Sequence, residues 1–162
     1  MRVGIGQDTH RLVEGRPLVL GGVTVPHTHG LAGHSDADVV LHAVADALLG
    51  AAALGDIGEL FPDTDPALRG ADSAVLLRDV VARIRAAGWQ PVNLDAVIHA
   101  ERPKLGAHKL AMRNRIAELL GLDPAAVSVK AKTGESVGPI GRGEAISCEA
   151  VVLLDRAGAS SH

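Results

Sequence analysis

Residues 38–54, DVVLHAVADALLGAAAL, are apolar around almost the whole circumference of a helix, broken only by His42 and Asp46 after the opening aspartate. A helix without a polar stripe is stable only when surrounded, so the segment predicts a buried helix on which the rest of the chain packs. Asp36 or Asp38 supplies its N-cap. Phe61 and Trp89 are the only aromatic residues, so the surrounding core is built from Ala, Val, Leu and Ile. Such a core gains less area per residue, and association between copies is a natural supplement. An imidazole and a carboxylate one turn apart on this helix therefore call for a reason.

The remaining elements follow from local pattern. Residues 2–9 and 17–25 read as strands, the second bent or turned at Gly21-Gly22, and a polar His-rich loop leads from there to the buried helix. Residues 55–72 are rich in Gly, Pro and Asp without a sustained period and read as one long loop, a length usually reserved for function. An amphipathic helix over 73–87 stops at Gly88, a strand covers 92–100, a helix covers 108–120 before Gly121, and strands cover 126–132 and 146–154. The expected fold is α/β (α+β), a single mixed sheet with helices packed on one side, in one domain over 1–156 with a disordered tail over 157–162.

The 162 residues carry a formal charge of −3, with no basic surplus to neutralise a nucleic-acid backbone. Charged residues in the first dozen positions rule out the apolar core of a signal peptide, and no run approaches the ~20 apolar residues of a membrane span. The expectation is a cytoplasmic protein with neither nucleic acid nor membrane as partner. The single cysteine, Cys148, lies in the apolar run AISCEAVVLL and reads as a small buried thiol.

The stretch GQDTHR places Asp8 and His10 two apart on a strand, hence on one face, with Thr9 on the other. The two can share an ion, with His42 as a third ligand from the buried helix. Asp, His and His with one position open is the donor pattern of a catalytic zinc. D-x-H also arises by chance, and a buried histidine often does no more than bond its neighbours. His34 and Ser35, just before the helix, suit a further ligand, a phosphate contact or part of a cap. Asp46, one turn beyond His42, is either the acceptor for the free N–H of a ligating imidazole or a polar residue at a subunit boundary.

Taken together, GQDTHR, GHSDADVVLHAVADALLGAAALGDIGELFPDTDP, ERPKL and VKAKTGESVGPIGRGEAISCEAV resemble the 2-C-methyl-D-erythritol 2,4-cyclodiphosphate synthase family along essentially the whole chain. The resemblance implies an enzyme that cyclises 4-diphosphocytidyl-2-C-methyl-D-erythritol 2-phosphate and releases CMP, in isoprenoid precursor biosynthesis. It also implies a homotrimer with active sites between subunits, a zinc ion on Asp8, His10 and His42, and a second divalent ion, Mg2+ or Mn2+, on Glu135. His34 and Thr133 are implied to hold the transition state. Implied substrate contacts are Asp8, Thr9 and His10, then His34 and Ser35, and Asp56, Ile57 and Gly58 on the erythritol hydroxyls. Phe61, Pro62, Asp63, Thr64 and Asp65 correspond to an adjoining flexible lid. Ala100, Glu101, Arg102, Pro103, Lys104, Leu105 and Gly106 correspond to the cytidine pocket, completed by Ala131, Lys132, Thr133, Gly134 and Glu135. Arg142, with Glu144, corresponds to an interface ion pair or an anion contact at the trimer axis. Pro139 and Gln7 stand where some relatives carry aromatic residues. Rival chemistries are a metal-dependent phosphohydrolase acting on a nucleotide diphosphate and a zinc-stabilised scaffold whose metal site is closed by a fourth ligand.

Overall fold

The computed structural model describes residues 1–158. A five-stranded sheet has the order β4-β1-β7-β5-β6, formed by β1 (Arg2–Glu14), β4 (His29–Leu31), β5 (Trp89–His99), β6 (Val127–Lys132) and β7 (Ala145–Arg156). Only β5 and β6 run parallel; the other neighbours are antiparallel. A separate hairpin joins β2 (Leu18–Leu20) to β3 (Val23–Val25), and its turn is Gly21-Gly22, both with positive φ. The helices α1 (Val39–Ala52), α3 (Ser73–Ala86) and α4 (Lys109–Leu120) pack against β1 and β7, β5, and β6 respectively. The chain is thus the expected mixed sheet with its helices on one side.

The buried helix sits directly on the first strand. Along β1, burial alternates so that Gly4 and Gly6 face α1 while Val3, Ile5 and Gln7 face outward. A Cβ at Gly4 would lie 2.1 Å from the Ala47 carbonyl oxygen, and one at Gly6 2.0 Å from that of Ala43. Only glycine lets the helix backbone descend this far onto the strand. Continuing the same alternation, Asp8 and His10 emerge on the helix side just past the glycines, under His42.

Asp38, fully buried, caps α1 by accepting from the N–H groups of Val40 and Leu41 at 3.1 Å. The same carboxylate accepts from Gly21 N at 2.9 Å and Gly22 N at 2.6 Å, tying the β2–β3 turn to the helix start. Burial pushes its carboxyl up to about 6, against the pull of the Gly22, Leu41 and Gly21 N–H groups. Replacing Asp38 by Ala loses a cap of about 1 kcal/mol and orphans two turn N–H groups at about 1 kcal/mol or more each. We expect a loss of about 3 kcal/mol, read as a lower midpoint in urea with unchanged slope.

Several segments differ from the pattern-based expectation. β1 runs through Glu14, because β4, inside the His-rich segment, extends the sheet by pairing Leu12 with Leu31 and Glu14 with His29. The region 55–72 is not one open loop: it holds α2 (Ile57–Leu60), capped by Asp56, and a 3-10 turn over Pro66–Leu68, capped by Asp65. A short α5 (Gly138–Gly141) interrupts the Gly-rich segment before β7. Within the expected tail, the Ala157 N–H donates to Gly88 O at 3.0 Å; positions 159–162 lie outside the described residues. Cys148 is fully buried, and burial raises its thiol far above the ordinary range.

No described helix is long and apolar enough to cross a membrane. The outer sheet face, opposite the helices, leaves Val3 69%, Ile5 71% and Val151 42% exposed.

Candidate metal centre and substrate clefts

Asp8, His10 and His42 converge as their spacing predicted. Asp8 Oδ2 lies 2.9 Å from His10 Nε2 and 3.0 Å from His42 Nδ1, and the two ring nitrogens are 3.3 Å apart. Among the described residues this is the one cluster of such groups able to hold a metal ion. A tetrahedron with bonds of ~2.0 Å has edges of ~3.3 Å, so the donor set is already close to the shape of a zinc site.

Each ligand is aimed by a second contact. The Ala32 carbonyl, 2.7 Å from His10 Nδ1, only accepts, so Nδ1 carries the proton and Nε2 keeps a free lone pair. Ser73 Oγ donates to Asp36 Oδ1 and therefore accepts from His42 Nε2 at 2.9 Å, which leaves His42 Nδ1 free. Asp8 Oδ1 accepts the Thr9 N–H at 2.8 Å, turning Oδ2 toward the imidazoles. Three lone pairs pointing at one spot, each with its opposite atom satisfied, is the organisation a bound cation requires. Without a cation, a proton shared among Asp8 Oδ2 and the facing ring nitrogens takes the ion's place, and the imidazole edges then donate to the carboxylate instead of offering lone pairs. Burial works to raise the Asp8 carboxyl, but hydrogen bonds from His10 and His42 hold it well below the usual carboxylate range. Burial works to lower His10, but the hydrogen bond and charge of Asp8 raise it above its ordinary value.

The Asp36–Ser73 contact decides against one of the two readings of Asp46, that of acceptor for the free imidazole N–H. Asp46 lies near the triad, but its Oδ1 accepts from Ile57 N at 2.8 Å, anchoring the start of α2, while Ser73 takes the free edge of His42. Ser73 lies 31 residues beyond His42, at the start of α3. Its one signal in the sequence is a capping-type D-S pair, which does not point to a metal centre. Thr9 contributes its backbone N–H alone on the triad side; its hydroxyl, on the opposite sheet face, accepts from Gln7 Nε2 at 3.1 Å.

The triad floors a cleft of about 550 Å³ walled by Asp46, Ile57, Gly58, Phe61, Pro62, Asp63 and Thr64. It is continuous through Ile57, Gly58 and Phe61 with a cavity of about 220 Å³ that adds His34, Ser35, Leu68 and Leu76. His34 Nε2 donates to Asp65 O at 2.8 Å, and Ser35 Oγ lies 3.3 Å from His42 Nε2. Asp56 and Asp65 accept at Oδ1 from Glu59 N and Ala67 N, and so shape the wall through their caps.

The rest of the expected site gathers elsewhere. Ala100, Lys104, Leu105, Gly106, Ala131, Lys132 and Thr133 line a separate cleft of about 290 Å³, joined by Lys109. Gly134 N donates to Glu101 Oε2 at 3.0 Å, fastening the two loops together. The Thr133 hydroxyl donates to Glu135, whose φ is +49°. Arg102 is exposed and precedes a cis bond to Pro103. Arg142 forms a two-pronged ion pair with Glu144, at 2.7 and 3.2 Å, outside both clefts.

One register row measures the gap between the clefts. Asp8 pairs with Cys148, Cys148 with Ile98, and Ile98 with Ala131. Three strand steps of ~4.8 Å put the two halves ~14 Å apart, and the intervening Cys148 and Ile98 are fully buried core. His34 and Thr133 therefore belong to different clefts of one chain.

A sequence model described as the YgbB family matches residues 1–155. The chain is 66% identical over 156 residues to the 2-C-methyl-D-erythritol 2,4-cyclodiphosphate synthase of Bordetella petrii, covering 96% of each. Among solved structures it matches the bifunctional IspDF of Campylobacter jejuni at TM-score 0.92 and 44% identity, over 96% of this chain and 42% of that one. A 2C-methyl-D-erythritol-2,4-cyclodiphosphate synthase in a CDP-bound form matches at TM-score 0.88 and 43% identity, over 95% and 100% of the two chains. By sequence along nearly its full length and by fold, this chain is a member of the YgbB family, the 2-C-methyl-D-erythritol 2,4-cyclodiphosphate synthases.

Proposed function

We propose that the chain converts 4-diphosphocytidyl-2-C-methyl-D-erythritol 2-phosphate to the 2,4-cyclodiphosphate with release of CMP. In this reading it works as a cytoplasmic homotrimer whose single catalytic unit spans residues 1–156. An oxygen of the 2-phosphate attacks the β-phosphorus, and the bond from that phosphorus to the bridging oxygen breaks, so CMP leaves with the electron pair. Such a transfer asks a protein chiefly for alignment and spread of charge.

The observation that carries the reading is the set of three lone pairs from Asp8, His10 and His42 converging at the base of a cleft beside His34 and Ser35. The donor set suits zinc, which when bound would orient a phosphate oxygen and draw charge from it. Within the described residues the cluster offers three ligands, which favours a catalytic over a closed structural site. His34 and Ser35 hold phosphate oxygens at the same cleft. Ala100–Gly106 and Ala131–Thr133 receive the cytidine, supported by the CDP-bound relative. Glu135, a hard oxygen donor, takes Mg2+ or Mn2+ on the diphosphate.

The ~14 Å of filled core between the two clefts favours a site shared by neighbouring subunits, the metal half from one and the cytidine half from the next. The exposed outer-face valines and isoleucine supply apolar area for that association. The test is phosphorus NMR of the products formed from the cytidine-diphosphate substrate with Zn2+ and Mg2+ present. The expected result is cyclic diphosphate and CMP in equal amounts; an open-chain 2,4-bisphosphate beside CMP would mean a phosphohydrolase instead.

A further inference from the structure

Arg16, in the tight connection between β1 and β2, reaches across the start of the metal cleft. Its Nη1 donates to Gly33 O at 2.8 Å and its Nη2 to Ser35 O at 2.7 Å. The planar fork thus brackets His34, using two parallel donors on two carbonyls two residues apart, a geometry an ammonium group cannot reproduce.

The clamped segment touches both histidines of the metal half. The Ala32 carbonyl fixes the His10 ring through Nδ1 at 2.7 Å. Gly33 packs so closely on that ring that an added Cβ would lie 3.3 Å from His10 Cε1 and 2.8 Å from the Ala37 Cβ. Ser35 Oγ accepts from Ala37 N at 3.1 Å and sits 3.3 Å from His42 Nε2. On its other side Arg16, with Arg69 and His34, borders a further cleft of about 430 Å³.

We propose that Arg16 is a positioning residue for the cyclisation: its grip on the Gly33 and Ser35 carbonyls fixes the segment that presents His34 and Ser35 to a substrate phosphate. The proposal rests on the reaction proposed above. Without the fork, both carbonyls turn to water, and residues 33–35 are held from their ends, by Ala32 N on Arg11 O and Asp36 N on Ala71 O, and at His34, by Gly70 N on its carbonyl and its own Nε2 on Asp65 O. A shift of ~1 Å in groups that align a phosphate is enough to cost about 10²-fold in rate.

The test compares Arg16→Ala and Arg16→Lys with the unaltered protein, all zinc-loaded. In Arg16→Ala, amide hydrogen exchange over 32–37 is expected to rise about tenfold while α1 exchange and zinc content stay unchanged. Turnover of the cytidine-diphosphate substrate is expected to fall about 10²-fold in kcat with less than about threefold change in KM. Added guanidinium is expected to restore about tenfold to Arg16→Ala, and Arg16→Lys to recover little, because the fork itself is what matters. Unchanged exchange over 32–37, kcat within twofold of the unaltered protein, or a loss that guanidinium leaves alone while α1 exchange also rises would overturn the assignment. If the unaltered protein fails to cyclise the substrate while Arg16→Ala still loosens only 32–37, the reaction is wrong and the clamp stands.

Discussion

Replacing His42 by Ala is expected to leave less than about a tenth of the zinc bound and to lower kcat/KM by about 10³-fold. The estimate follows from the several kcal/mol of charge stabilisation a catalytic metal supplies, at 1.36 kcal/mol for each factor of ten. Asp8 and His10 on the strand cannot close the site alone, since two ligands lack the chelation that three converging lone pairs provide. Glu135→Ala makes the contrast. Glu135 lies on the loop after β6 with Thr133, away from the triad, so this variant is expected to keep full zinc content and lose the response of the rate to added Mg2+. Metal analysis after dialysis, with a Mg2+ titration of the rate, checks both. Full zinc retention in His42→Ala would move the metal centre elsewhere.

Gly6→Ala is expected to damage both the fold and the metal centre. Its Cβ would start 2.0 Å from the Ala43 carbonyl oxygen, 2.5 Å from Ala47 N and 2.9 Å from the Asp46 Cβ, two of the three being helix backbone that no rotamer change can relieve. Either α1 rises from the sheet or the strand bends. Overpacking of this kind costs about 3 kcal/mol, which for a chain of this size lowers the melting temperature by about 10 °C. Lifting α1 also carries His42 away from Asp8 and His10, so zinc affinity is expected to fall along with stability. A thermal melt and a zinc titration of the same sample test the coupling. A variant that melts lower yet binds zinc as tightly as the parent would show that helix height and metal geometry are independent.

That coupling also explains what was legible in the sequence. The apolar stretch around His42, the two-residue period of Asp8 and His10, and the glycine stops at Gly88 and Gly121 are local signals, and local physics acts on them as written. The glycine pair was harder to see. Gly4 and Gly6 share a face with Asp8 and His10, but the reason for glycine there is a helix backbone some forty residues further on. The same holds for Ser73, which satisfies His42 from the next helix and leaves Asp46, the nearer choice in sequence, to anchor α2. Residues 55–72 read as open loop because a one-turn helix and a 3-10 turn held by Asp56 and Asp65 are too short to show a period. β4 was hidden in the His-rich segment for a related reason: three residues become a strand only because β1 offers an edge. The residues lining each of the two clefts were legible as blocks resembling a known family. Their separation on one chain was not, because it is a property of strand order β1-β7-β5-β6.

A mixing experiment measures whether the metal half of one subunit works with the proposed cytidine half of the next. His42→Ala removes the first half and Thr133→Ala the second, each leaving the other half intact. The two variants are unfolded and refolded together at equal ratio, with native mass spectrometry confirming mixed trimers. In a ring of three, roughly one boundary in four then joins an intact metal half to an intact cytidine half. The mixture is expected to recover about a quarter of parental activity from two nearly inactive parents. A mixture that contains mixed trimers and stays as inactive as either variant alone would place the whole site within one chain and contradict the account.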